Sequence, residues 1–167
     1  TIDNPDNNFR IYRIGNSYTF GWFIDRLEDT YPKLIEEKLN NKSQRKVEVI
    51  NGAMWGYRIR QEYERFMWEG RKYHPDVVLF GLMPYEGNVS NTFFRPADTF
   101  LPQFIRKSKV YYFIIGQHLQ KWADKRNHAY YVDVYKDRNS PEWKNFELYI
   151  SKLNLEAQKI GSHLAIL

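Results

Sequence analysis

Short apolar runs alternate with amphipathic stripes along this chain, and that alternation limits the fold more than any other feature. Phe9-Arg10-Ile11-Tyr12-Arg13-Ile14, Val47-Glu48-Val49-Ile50 and Val77-Val78-Leu79-Phe80-Gly81 read as strands. The last is apolar at every position, as suits a strand covered on both faces. Stripes at helical spacing lie between them. Tyr31, Leu34, Ile35 and Leu39 fall near one helical face, with Asp29 or Thr30 as a cap and Pro32 in the first turn. Ile59, Tyr63, Phe66 and Met67 form a second stripe, and Pro75 marks the next boundary. Strands joined by long helical crossovers predict a parallel sheet with helices on both faces.

The second half continues the pattern. Residues 82–100 carry Pro84, Gly87, Asn88, Asn91 and Pro96 and read as a long loop, a length that is often functional. Leu101, Phe104, Ile105 and Ser108 mark a short helix, and residues 110–115 a fourth strand stopped by Gly116. Residues 124–139 are polar and irregular, with a short strand expected at 130–134. Ser140-Pro141 combines a cap residue with proline at the first helical position. Trp143, Phe146, Ile150, Leu153, Ala157 and Ile160 then give a long stripe, which Gly161 ends in the left-handed conformation. Residues 163–167 read as a fifth strand. No repeat, low-complexity segment or linker interrupts the 167 residues, which predict a single domain, residues 1–167, with a core of its own.

Composition removes several classes of function. Cysteine is absent, so disulfides, thiolate metal sites and a cysteine nucleophile are excluded. His74, His118, His128 and His163 are scattered without ligand spacing, so no metal site is expected. The net charge is +5, yet the basic residues are mixed with acids along helical faces, so no nucleic-acid partner is expected. No apolar run approaches the roughly 18 residues that span a membrane. The first eight residues are polar and lack a basic-then-apolar signal pattern. Localisation and oligomeric state stay open.

The residues with chemical potential stand at strand ends. Gly15-Asn16-Ser17 follows the first strand directly, and ligands of open parallel sheets bind at the carboxyl ends of strands. The segment is neither a dinucleotide fingerprint nor a P-loop. It is not a Gly-x-Ser-x-Gly elbow either, because Thr19 replaces the second glycine. Ser17 therefore reads as a nucleophile, if a base takes its proton, or as a turn former or helix cap. After the second strand, Asn51-Gly52-Ala53-Met54-Trp55-Gly56-Tyr57 offers a backbone N–H for an oxyanion, or an ordinary strand-to-helix turn.

Together these segments resemble the SGNH (GDSL-type) hydrolases. Phe9-Arg10-Ile11 through Gly15-Asn16-Ser17-Tyr18-Thr19-Phe20-Gly21-Trp22, with Tyr31-Pro32 and Leu34, is similar to block I of that family. Residues 47–53 with Gly56-Tyr57 are similar to block II, and His74-Pro75-Asp76-Val77-Val78 to the strand leading into block III. The resemblance covers most of the chain from Phe9 onward. It implies a flavodoxin-like three-layer α/β sandwich and hydrolysis of a carboxylic ester on a lipid, glycan or small molecule, without cofactor. Ser17 would match the nucleophile, and its own N–H and that of Gly56 two oxyanion donors. Gly15 and Asn16 support it, Asn16 standing where the family usually has Asp.

Two departures follow from the same comparison. The family's third oxyanion donor is an Asn in a Gly-x-Asn-Asp segment, whereas this chain reads Gly81-Leu82-Met83-Pro84-Tyr85-Glu86-Gly87-Asn88. Met83 cannot donate; Tyr85, through its hydroxyl, or Asn88 would have to replace that donor. The family's base lies in an Asp-x-x-His block, and no histidine here has Asp three residues before it. His163 reads as a strand residue and His128 as a surface residue. Three readings follow: an SGNH hydrolase whose Asp-x-x-His loop and last helix lie outside this sequence, a degenerate SGNH-like domain that binds an acylated or glycan ligand without turnover, or an unrelated Rossmann-like anion binder. Tyr57, Tyr85, Phe93 and Phe94 suggest an apolar or sugar-stacking rim, or simply packing.

Overall fold

The structure, a computed structural model, describes residues 2–83 and 136–167. The chain divides into two compact units, Thr1–Gly87 with Asn145–Leu167, and Asn88–Lys144. The first unit carries a sheet of four parallel strands among the described residues. These are β1 (Phe9–Ile14), β2 (Val47–Asn51), β3 (Val77–Phe80) and β4 (His163–Ile166). The spatial order is β2-β1-β3-β4. The helices are α1 (Ser17–Phe20), α2 (Tyr31–Asn40), α3 (Ile59–Trp68) and α4 (Pro141–Lys159).

The sheet separates two apolar layers. Tyr12, Ile14, Val78 and Phe80 point to one face and are covered by Ile59 and Phe66 of α3 and Leu153 and Ala157 of α4. Ile11, Val47 and Val49 point to the other, where Ile35 of α2 packs with Phe9, Val77 and Leu79. The result is the three-layer α/β architecture that the alternation predicts. Period two along β1 sends successive side chains to opposite faces, and both faces are covered.

Local chemistry explains the element ends. Ser140 caps α4, its hydroxyl accepting from the Trp143 N–H at 3.1 Å, in keeping with the sequence. Gly161, at φ 75°, ends the helix as expected; its N–H donates to Gln158 and that of Ser162 to Ala157. Thr30 does precede α2, but its hydroxyl donates back to the Leu27 carbonyl at 2.7 Å, so the expected side-chain cap does not form. The outer edge of β2 is occupied by α2: Glu36 accepts the Val49 N–H at 2.7 Å, and Asn40 bonds both Val47 backbone groups at 2.9 Å. That pairing hides an edge that would otherwise template another strand.

The strand expected at residues 110–115, the short helix before it and the strand at 130–134 lie outside the described residues. The last strand, β4, pairs directly with β3, with Val77 opposite His163 and Phe80 opposite Ile166. No described helix is long and apolar enough to cross a membrane.

Candidate active site

Ser17 stands at the carboxyl end of β1, a central strand, in the first position of the one-turn helix α1. The cap of that helix is Asn16, not Ser17. Asn16 is buried, and its side-chain oxygen accepts the Tyr18 N–H at 3.1 Å. Gly21, at φ 91°, closes the turn, its N–H donating to the Ser17 carbonyl. The serine hydroxyl is thus excused from the capping that a turn-forming serine would perform. Gly15 is required by crowding: a Cβ there would collide with the Thr19 side chain.

Thr19 anchors the whole turn. It is buried, accepts from the Tyr31 hydroxyl at 2.6 Å, and its carbonyl accepts from the Asn51 amide at 3.1 Å. Arg13 lies against the same Tyr31, its guanidinium 4.4 Å from the ring centre. Burial pushes the Arg13 guanidinium down to about 10, which leaves it charged at neutral pH. A side chain on Gly81 would strike Thr19, so the end of β3 packs close beneath the serine turn.

The loop after β2 is tied to this turn. The Met54 N–H donates to the Gly15 carbonyl at 3.2 Å, and that of Gly52 to Arg13 at 2.8 Å. Gly56 is exposed at φ 75° with open space where a side chain would be, so its backbone conformation rather than crowding favours glycine. The N–H groups of Ser17 and Gly56 donate to no protein acceptor among the described residues. Beside Ser17 opens a cleft of about 330 Å³, lined by Ser17, Tyr18, Trp22, Phe23 and Trp55. Gly56 does not line it, though its neighbour Trp55 does. Trp22 and Trp55 stack at 5.2 Å between ring centres.

The fold resembles that of TesA. A crystal structure of TesA superposes with a TM-score of 0.53 over 94% of this chain at 12% sequence identity. The chain spans 58% of the length of that TesA chain. At that identity the likeness bears on the fold alone, a parallel α/β sheet with helices on both faces. No family model and no curated protein sequence matches the chain.

The two described histidines are far from the serine. His163 opens β4, level with Val77 and, through it, Ile11. Ser17 follows Ile14, three strand residues and about 10 Å further along the sheet. His163 is therefore a strand residue, as its sequence context suggests. His74 precedes β3 and lies at the same amino end. His118, His128, Tyr85 and Asn88 lie outside the described residues, as do Phe93 and Phe94. Tyr57 is half-buried and does not line the cleft. The aromatic wall is built instead by Trp22, Phe23 and Trp55, which sequence reasoning did not assign to a site. Exposed tryptophans just past two strand ends were the available signal. Among the described residues no cluster of His, Asp or Glu could hold a metal ion.

Proposed function

We propose that this chain carries the nucleophilic half of a serine ester hydrolase of the SGNH type. The observation that carries the reading is the position of Ser17: it borders a cleft at the carboxyl end of a central parallel strand, with its hydroxyl not used as a cap. Ser17 Oγ attacks the ester carbonyl, its proton passes to a base, and the alcohol leaves with a proton from that base. Water then cleaves the acyl-serine by the reverse relay. The unengaged N–H groups of Ser17 and Gly56 are the proposed oxyanion donors, with Tyr85 or Asn88 as the third. Asn16 fixes the turn in which Ser17 stands. The base is assigned to residues beyond the described ones, because His74 and His163 stand at the wrong end of the sheet. The substrate is an ester of a small molecule, glycan or lipid.

The test is hydrolysis of p-nitrophenyl acetate by the full-length protein and by Ser17→Ala. Loss of the nucleophile in a serine hydrolase costs up to about 10⁶-fold in kcat. A fall of at least about 10³-fold supports the assignment, and an unchanged rate removes Ser17 from the chemistry.

A further inference from the structure

Folding does not explain the aromatic wall beside Ser17. Tyr18, Trp22, Phe23 and Trp55 are 66, 45, 92 and 59% exposed. Large rings stabilise a fold when they are buried, and these stay in water together. Phe23 also holds a φ of 71°, a left-handed conformation that a bulky aromatic residue adopts only under constraint. The conformation sets the Phe23 ring edge-on to Trp22, with centres 5.8 Å apart and planes at 79°. Trp22 in turn stacks on Trp55 at 19° between planes. Rings from two separate loops therefore form one wall.

We propose that this cleft is an acyl-binding subsite, which takes the uncharged alkyl chain of the ester's acyl half; the proposal rests on Ser17 as nucleophile. Among the described residues no charged side chain lines the cleft, and against these rings a charged group would lose its hydration without compensation. Its 330 Å³ is near the lower end of small-molecule sites, room for one chain rather than a polymer or a two-tailed lipid. A sugar ring would need partners for several hydroxyls, and the described lining residues offer little beyond the Ser17 and Tyr18 hydroxyls and the indole N–H groups. An alkyl chain needs none and gains by leaving water against the rings. The acyl half forms its bond to Ser17 in the first step and loses it to water in the second, so a subsite touching Ser17 acts on both steps.

The test uses p-nitrophenyl esters from acetate to decanoate. Each methylene that enters the cleft is expected to raise kcat/KM by about fourfold, the factor equivalent to about 0.8 kcal/mol. Trp55→Ala and Phe23→Ala flatten that rise; both residues are exposed, so the fold tolerates the change. A second readout needs no turnover: methyl octanoate should saturably shift the tryptophan emission of S17A, methyl acetate should not, and S17A/W55A should lose the response. Hydrolysis that depends on Ser17 but is indifferent to chain length overturns the subsite and leaves the nucleophile standing. Methyl octanoate binding by S17A without hydrolysis by any form keeps the subsite and removes the nucleophile. A chain-length slope that survives Trp55→Ala also overturns the proposal.

Discussion

Strand β1 carries two arginines three residues apart, each almost wholly buried, in opposite circumstances. Arg10, at the amino end of the sheet, is 2% exposed and fully engaged. Its guanidinium pairs with Glu48 at 2.7 Å and donates to the carbonyls of Ile2, Asp3 and Tyr73. Its N–H donates to Asp76, whose other oxygen reaches Arg45, while Ser162 donates to the Pro75 carbonyl nearby. Arg13, near the carboxyl end, is 1% exposed and has no carboxylate partner among the described residues. It makes a long hydrogen bond of 3.4 Å to the Leu79 carbonyl and lies on Tyr31, and its Nε has no partner among the described residues. One end of the sheet is closed by mutual satisfaction. The other keeps donors, rings and a strained backbone uncommitted, as a ligand site does.

The largest effect expected from this contrast is at Arg10. Arg10→Met would leave Glu48, whose side chain is 29% exposed, and three carbonyls without their donor. Removing one partner costs about 3–5 kcal/mol in a buried ion pair and under about 1 kcal/mol in an exposed one; with Glu48 partly in water, about 2–3 kcal/mol is expected, read as a lower urea midpoint. A loss under about 1 kcal/mol would place the two arginines in one class and break the comparison.

Tyr12, between them, tests how tightly the core beneath both ends is sealed. Burial, with the Glu69 carboxylate adding to it, pushes the Tyr12 hydroxyl up to about 12. The unfolded tyrosine ionises near 10, so as pH rises through about 10 to 12 the unfolded state sheds its proton first. Stability present below about pH 10 is therefore lost across that window, by about 2 kcal/mol. Urea melts near pH 9 and pH 11 should show a steeper loss in the wild type than in Tyr12→Phe. Equal losses would mean that water reaches the hydroxyl and that the core is less sealed than the packing of Phe66 and Tyr73 around it implies.

These regions were not equally legible in the sequence. Periodicity and punctuation located β1 to β3, α2, α3 and the capped α4, because each depends on neighbours within a few residues. The serine at the end of β1 was visible for the same reason. The aromatic wall was not, since Trp22 and Trp55 meet only after β1 and β2 pair and their loops are tied through Met54 and Gly15. Nothing in the letter at position 23 reveals a positive φ. Arg10 and Arg13 look alike as polar residues in an apolar strand. Only the tertiary placement of Glu48 and Tyr31 makes one a satisfied pair and the other an isolated charge.

The smallest expected effect is the sharpest probe of that difference. Arg13→Met replaces a buried cation with an apolar side chain of similar length. It removes one long hydrogen bond and the contact with Tyr31, each a modest gain, and it also removes the cost of holding a charge away from water. These oppose each other, so stability should change by no more than about 1 kcal/mol, measured by the same urea midpoints as Arg10→Met. A cost of about 2 kcal/mol or more would show that Arg13 is as well compensated as Arg10, and the carboxyl end would lose its distinction. A neutral or stabilising change together with a fall in Ser17-dependent hydrolysis would mean the opposite. The charge would then be retained for what it does to Tyr31, Thr19 and the serine turn above them, at no benefit to the fold itself.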